Sequence, residues 1–258
     1  MTLNGKIAAI TGGTAGIGRG IAEAYLAEGA SVALMARNKD KAAGVLQELN
    51  VGDRAIYIPG DATRQEDVEG FIDQTISQFG TLDILVNNAG GAGDLGPVAE
   101  LSDAAFELVM KWNIYSTFWA TRRALKPMIE KKSGRVINIS STEGKIGKPT
   151  FAPYTIAKHG INGMTKSVAQ EVGTMGITVN SICPGLVITD LIKDNGPATA
   201  AGMGMTFDEM ISMFSQESAV KRPVTVEEVA ALAVLLASDA GSGITGALLS
   251  VDGGTAQY

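Results

Sequence analysis

Thr11-Gly-Gly-Thr-Ala-Gly-Ile-Gly18 follows the first apolar run, Lys6–Thr11 (KIAAIT), and opens into an alanine-rich stretch of helical period, Ile17–Glu28. A glycine-rich turn after a first strand and before a helix is the context a nucleotide-binding turn requires. Gly12, Gly16 and Gly18 let the backbone turn sharply and approach a pyrophosphate. The charge of that group then sits at the positive N-terminus of the helix, beside Ile17. The same glycines would serve a close-packed strand-to-helix turn that binds nothing, and what surrounds the turn decides between the two.

Outward from the turn, short apolar runs alternate with longer stretches of helical period. Ser31–Met35, Ala55–Ile58, Ile84–Asn87, Arg135–Ser140, Thr178–Ile182 and Leu248–Val251 read as further strands. None alternates cleanly between polar and apolar, as expected of parallel strands buried on both faces. Asp40–Leu49, Gln65–Phe79, Ser102–Lys131, Pro153–Val172 and Val226–Ser238 read as helices. The pattern predicts an α/β fold with a doubly wound parallel sheet. Only Asp190–Thr225 lacks a clear period, so one domain with one elaborated loop is expected over 1–258, the insertion spanning 190–225.

Composition narrows the classes. Length, 258 residues, suits one α/β domain. Glycine contributes 32 of 258 residues, about 12% against a usual ~7%, without a collagen period. Net charge is −6, which does not point to nucleic acid or an acidic membrane surface. The longest apolar run, Val229–Ala237, is half of the ~18 residues a membrane span needs. A single Cys183 and a single His159 leave no intramolecular disulfide and no multi-histidine metal site; the expectation is a metal-free cytoplasmic protein.

The spacing TGxxxGIG resembles the signature of the short-chain dehydrogenase/reductase family. Further residues fall in order where that family has motifs: Asp61, Asn87-Asn-Ala-Gly90, Asn113, Ser141, Tyr154-Thr-Ile-Ala-Lys158, Pro184-Gly185, Ile244-Thr-Gly and Val251-Asp-Gly-Gly254. The resemblance implies a single Rossmann domain, its seven strands in the order 3-2-1-4-5-6-7. It places Asp61 and Ala62 at the adenine, and Asn88, Ala89 and Gly90 beneath the adenosine. Pro184 and Gly185 come under the nicotinamide, with Ile188 at its carboxamide and Thr189 at the carboxamide or the phosphates.

Cofactor choice is read at the end of the second strand. An NAD site usually places a carboxylate there for the ribose 2′-hydroxyl. Ala36-Arg37-Asn38 offers none, and a guanidinium matches a phosphate in two-pronged fashion. Arg37, helped by Asn38 and Thr14, suits the 2′-phosphate of NADP(H), with NAD(H) as the alternative.

Tyr154 and Lys158 are four apart on a predicted helix and share a face. A free phenol titrates near ~10, and a nearby cation lowers that value, so Lys158, together with an oxidised nicotinamide, is expected to make Tyr154 a usable acid–base. Ser141 offers a hydroxyl to the substrate oxygen. In the family's pattern Asn113 holds a water against Lys158, and Lys158 also bridges the nicotinamide ribose. Glu143 and Lys145, close behind Ser141, read either as polar wall or as surface pair. Met203, Met205, Met210 and Met213 in the long segment read equally as a lid over a hydrophobic substrate or as packing.

The stretch Ser141–Gly160 looks closer to polyketide-type ketoreductases and 3-hydroxyacyl dehydrogenases. The leading expectation is an NADP(H)-dependent oxidoreductase acting on a small ketone or secondary alcohol, hydrophobic or 3-oxoacyl in type, and assembled as a homotetramer or homodimer. An oxidative NAD-dependent dehydrogenase and a non-catalytic redox sensor are the alternatives.

Overall fold

β1 (Ile7–Thr11) is buried along its whole length in the computed structural model, which describes residues 1–256. Around it lie β2 (Ser31–Ala36), β3 (Ala55–Pro59), β4 (Ile84–Asn87), β5 (Gly134–Ile139), β6 (Ile177–Pro184) and β7 (Leu248–Val251). All pair in parallel in the order β3-β2-β1-β4-β5-β6-β7. Ile10 is in register with Leu34 on one side and Val86 on the other. The central strands lack a polar–apolar alternation because successive residues feed two cores. Ile10, Leu34 and Val86 point into one, with α1 (Gly16–Ala27) and α9 (Val226–Ala237). Ala9, Ala33 and Leu85 point into the other, with α3 (Gln65–Phe79), α5 (Ser116–Glu130) and α6 (Ala152–Val172). α2 (Lys39–Leu49) covers the flank near β3.

Two segments depart from expectation. The helix expected over Ser102–Lys131 divides into α4 (Asp103–Met110) and α5 around a π turn, Lys111–Tyr115. Side chains occupy the carbonyls that this wider turn loosens. Asn113 Nδ2 donates to Val109 O, Ser116 Oγ to Trp112 O, and Thr117 Oγ1 to Asn113 O. The segment without a clear period holds two helices, α7 (Asp190–Gly202) and α8 (Phe207–Glu217). α7 carries Pro197 inside it and buries only Gly196 and Ala200, so no apolar stripe marks it. α8 begins with a reciprocal cap between Thr206 and Glu209, a signal present in the sequence.

Candidate active site

The ends of β1 and β4 form the crevice where the crossovers part to opposite sides, the usual ligand position in such sheets. Thr11 ties the two together, its Oγ1 accepting from the N–H groups of Asn88 and Ala89, both at 3.0 Å. Asn88 Nδ2 in turn donates to Thr11 O at 3.0 Å and Gly12 O at 3.2 Å. A Cβ on Gly18 would lie 2.5 Å from Gly12 O, so the turn closes only around glycine. Gly12 and Gly16 have φ of +66° and +51°, where other residues are strained. No side chain caps the first N–H groups of α1, which leaves these donors for an anion. Thr189 stands across the turn, 3.0 Å from where a Gly16 Cβ would be, and Ile17 is half-buried nearby in sequence. Thr14 is buried. Pro184 ends β6, and the Gly185 N–H donates to Val251 O at 3.0 Å, with Ile188 just beyond.

At the other end of the crevice Arg37 is exposed beyond β2, its Cζ 5.9 Å from the Trp112 ring centroid. Arg37, Pro59, Gly60, Asp61 and Asp67 line one pocket, and Ala62 is buried next to Asp61 in the chain. Partial burial pushes the Asp61 carboxyl up, but hydrogen bonds from Thr63 and the charges of Arg37 and Arg64 outweigh it and hold the carboxyl below its ordinary value. Asn38 is only partly available for a phosphate. Its Oδ1 accepts from the Lys41 N–H at 2.9 Å and caps α2, leaving the amide N–H groups. Trp112 is the neighbour that sequence reading missed; the side chain it meets comes from a distant strand end.

Ser141, Tyr154, Lys158 and Asn113 converge beyond the ends of β4 and β5. Lys158 is buried, its Nζ donating to Ile139 O at 2.9 Å and lying 5.3 Å from the Tyr154 ring centroid. A Cβ on Gly90 would fall 2.4 Å from Asn113 Oδ1 and 3.7 Å from Lys158 Nζ, so the bare glycine keeps both within reach of one small molecule. Asn113 Nδ2 is bonded to Gly91 O and Val109 O, whereas its buried Oδ1 has no hydrogen-bond partner among the described residues. A buried orphan acceptor of this kind ordinarily meets water or ligand.

Burial pushes the Tyr154 phenol well above its ordinary value, the Glu143 charge adds to this, and a hydrogen bond with Ser141 opposes it. Lys158 does not reverse that shift in the protein alone. Burial lowers Lys158 itself to about 8, with Cys183 and Glu143 pulling the other way. Glu143 and Lys145 each reach a neighbouring hydroxyl. The Ser141 hydroxyl donates to Glu143 Oε2 in a short hydrogen bond, while Lys145 Nζ reaches Ser250 Oγ at 2.9 Å. Among the described residues no cluster of three His, Cys, Asp or Glu could hold a metal ion, and no helix is long and apolar enough to cross a membrane.

This arrangement has known counterparts. A model of the family described as enoyl-(acyl carrier protein) reductase matches residues 12–256. A short chain dehydrogenase/reductase of Aspergillus oryzae is 37% identical, over 98% of this chain and 95% of its own. The chain belongs to the short-chain dehydrogenase/reductase family. A D-beta-hydroxybutyrate dehydrogenase of Rhizobium meliloti is 38% identical over 98% of this chain and 99% of its own. A crystal structure of a variant actinorhodin polyketide ketoreductase with NADPH superposes with a TM-score of 0.93, at 33% identity and 98% coverage of both chains. The expected strand order is that of the family's fold, and the protein is an oxidoreductase of this family.

Proposed function

We propose that this short-chain dehydrogenase/reductase interconverts a ketone and a secondary alcohol with NADP(H), on a hydrophobic or 3-oxoacyl type of substrate. The observation that carries the reading is the gathering of Ser141, Tyr154 and Lys158 at one end of a crevice whose other end presents Arg37. The cofactor, when bound, supplies or accepts the hydride. The uncapped α1 N-terminus and the glycine turn fit its pyrophosphate, and Arg37 fits its 2′-phosphate.

Tyr154 gives its phenolic proton to the substrate oxygen in reduction and takes it back in oxidation. Ser141 donates a hydrogen bond to that oxygen and steadies it as charge develops. Lys158, held by Ile139 O, keeps a positive charge below pH about 8 and so favours the phenolate. An oxidised nicotinamide, when bound, would add a second positive charge to the same effect. Asn113 Oδ1 and Lys158 lead the proton onward toward solvent.

The half-exposed apolar residues of α4 and α5 support a homo-oligomer, and α7 with α8 supports a lid over the substrate. The free, buried Cys183 accords with a cytoplasmic location. Following nicotinamide absorbance with NADPH and NADH across a panel of ketones and alcohols tests the reading. Turnover with NADPH preferred is expected; preference for NADH overturns the assignment of Arg37, and no turnover overturns the activity.

A further inference from the structure

Lys148 lies midway along the loop that joins Ser141 to Tyr154. Its Nζ donates to both carboxylate oxygens of Glu217, at 3.2 and 3.1 Å, and stands 3.7 Å from the centroid of the Phe214 ring. Both partners belong to the last turn of α8, of which Glu217 is the final residue. The Lys148 side chain is only 21% exposed, so this cation has exchanged much of its water for a ring face and a carboxylate. Asp190, the first residue of α7, is paired with Lys41. The segment 190–217 is thus held at both ends, by a lysine beside the cofactor crevice and by a lysine of the loop between Ser141 and Tyr154.

That loop needs a hold. Thr150 has φ of +68°, where a β-branched side chain is strained. Such a conformation persists only where its surroundings over-determine it. Thr150 O accepts from the Gly96 N–H at 3.1 Å, and Asn162 Nδ2 donates to Gly144 O at 2.8 Å. Lys148 fastens the chain between these two points and ties it to α8. In this arrangement Tyr154 and Ser141 are already hydrogen-bonded to each other, so the latched position is one in which the reacting groups are assembled.

We propose that Lys148 is a positioning residue, which latches α8 onto the loop between Ser141 and Tyr154 and thereby sets the affinity for substrate. This rests on the ketone–alcohol reading above. When only the latched form binds well, apparent affinity falls in proportion to the fraction of protein that is latched. Losing Lys148 lowers that fraction, and bound substrate restores it through its own contacts. The effect therefore falls on KM and spares kcat.

Reduction of methyl acetoacetate and of tetralone with NADPH tests it. Lys148→Met should raise KM roughly 3- to 30-fold, the change to which a partly desolvated cation–π contact converts, while kcat and NADPH affinity stay near wild type. Lys148→Arg presents a fork to the same carboxylate and ring, and should keep the wild-type KM. Glu217→Gln should raise KM less than Lys148→Met does. Combining Lys148→Glu with Glu217→Lys reverses the pair and should recover part of the loss that each change causes alone, which covers a single variant that folds poorly. Hydrogen exchange across Phe207–Glu217, read without turnover, should quicken in Lys148→Met by a factor similar to the rise in KM. Raising ionic strength should increase the wild-type KM more than that of Lys148→Met. An unchanged KM in Lys148→Met, or a loss of kcat that Lys148→Arg does not rescue, overturns the positioning role. A lowered KM overturns it too, because the latch would then hold the site shut. Each of these leaves the ketone activity standing, whereas absence of turnover with every ketone overturns both.

Discussion

Arg37 lies over the indole of Trp112, its Cζ 5.9 Å from the ring centroid, although the two are 75 positions apart in the chain. The ring face attracts the guanidinium and restricts it where the 2′-phosphate of NADP(H) would arrive. Arg37→Ala should therefore weaken NADPH by ~1.5–3 kcal/mol, the range for a hydrogen bond to a charged group, with NADH affected far less. Ala36→Asp should turn preference toward NADH, by repulsion of the phosphate as much as by attraction of the ribose. Titrations of both cofactors, followed through tryptophan emission, check this. Equal losses for the two would show that Arg37 does not read the phosphate.

Tyr154→Phe removes the proton donor and keeps the ring. Ketone reduction should fall ~10²–10⁴-fold while cofactor affinity stays near wild type. Steady-state rates and an NADPH titration on the same sample measure both. Near-normal reduction would place the acid elsewhere.

Sequence made the sheet legible because the central strands are short, largely apolar runs that feed two cores. The candidate site was legible because Tyr154 and Lys158 share a helical face and, with Ser141 just beyond β5, fall where the family resemblance puts them. What escaped was tertiary. Trp112 meets Arg37 only through the packing of a π turn that no period announces, and Asn113 helps make that turn by bonding Val109 O. α7 escaped because a proline and two glycines interrupt it and it buries almost nothing. The Tyr154 shift escaped because desolvation depends on the surrounding fold, which the spacing of Tyr154 and Lys158 does not show.

Lys158→Met should separate stability from function. In the native protein Lys158 titrates at about 8, against 10.5 when exposed, so the unfolded chain binds the extra proton throughout that window. Wild-type stability then rises with pH from 8 to 10.5, and below 8 the full cost of the buried charge is present. That cost is at most about 3 kcal/mol, partly offset by the bond to Ile139 O that methionine cannot make. The stability of the variant relative to wild type should consequently decline across this window, as read from denaturant midpoints. A flat difference would contradict the buried cation. The same variant should lose cofactor affinity and need higher pH for alcohol oxidation.

The outer face of the long helices predicts assembly. Phe106, Leu108, Tyr115, Phe118 and Ile129 are exposed by 38% to 49%, while their neighbours Val109 and Met110 are buried inside. Beside them Phe118, Leu125, Ile129, Met164 and Val168 line a groove between α5 and α6. A two-fold axis that pairs like helices would cover this face. Light scattering at micromolar concentration should give two or four times the 26.7 kDa chain mass, and replacing Phe118 with Glu should shift it toward monomer. A monomer in wild type would show that the face stays in water.

The last expectation concerns the segment that follows Thr189. Lys41 Nζ at the start of α2 pairs with Asp190 Oδ2 at the start of α7, 2.9 Å apart, and so straps one wall of the cofactor crevice to the other. The hydrogen bond and charge of Lys41 hold the Asp190 carboxyl below its ordinary value. Both side chains are half exposed, and such a pair contributes only about 0–1 kcal/mol, too little to fix the segment. Farther on, Met203 and Met213 face solvent and Met210 alone of the cluster is buried, so much of the apolar surface of α7 and α8 is uncovered. Phe207 packs closely on Gly196, which joins the two helices to each other. They should therefore move together, pivoting near Thr189 and Gly204. Hydrogen exchange should find Asp190–Ala219 weakly protected in the free protein. NADPH should protect the region around Thr189, and substrate should extend protection from Met203 onward as closure excludes water from the hydride path. Asp190→Ala should raise exchange near Thr189 in the free protein and leave the cofactor-bound state nearly unchanged. Full protection of Asp190–Ala219 without ligand would identify a fixed wall, and selection of the substrate would then rest on a rigid pocket.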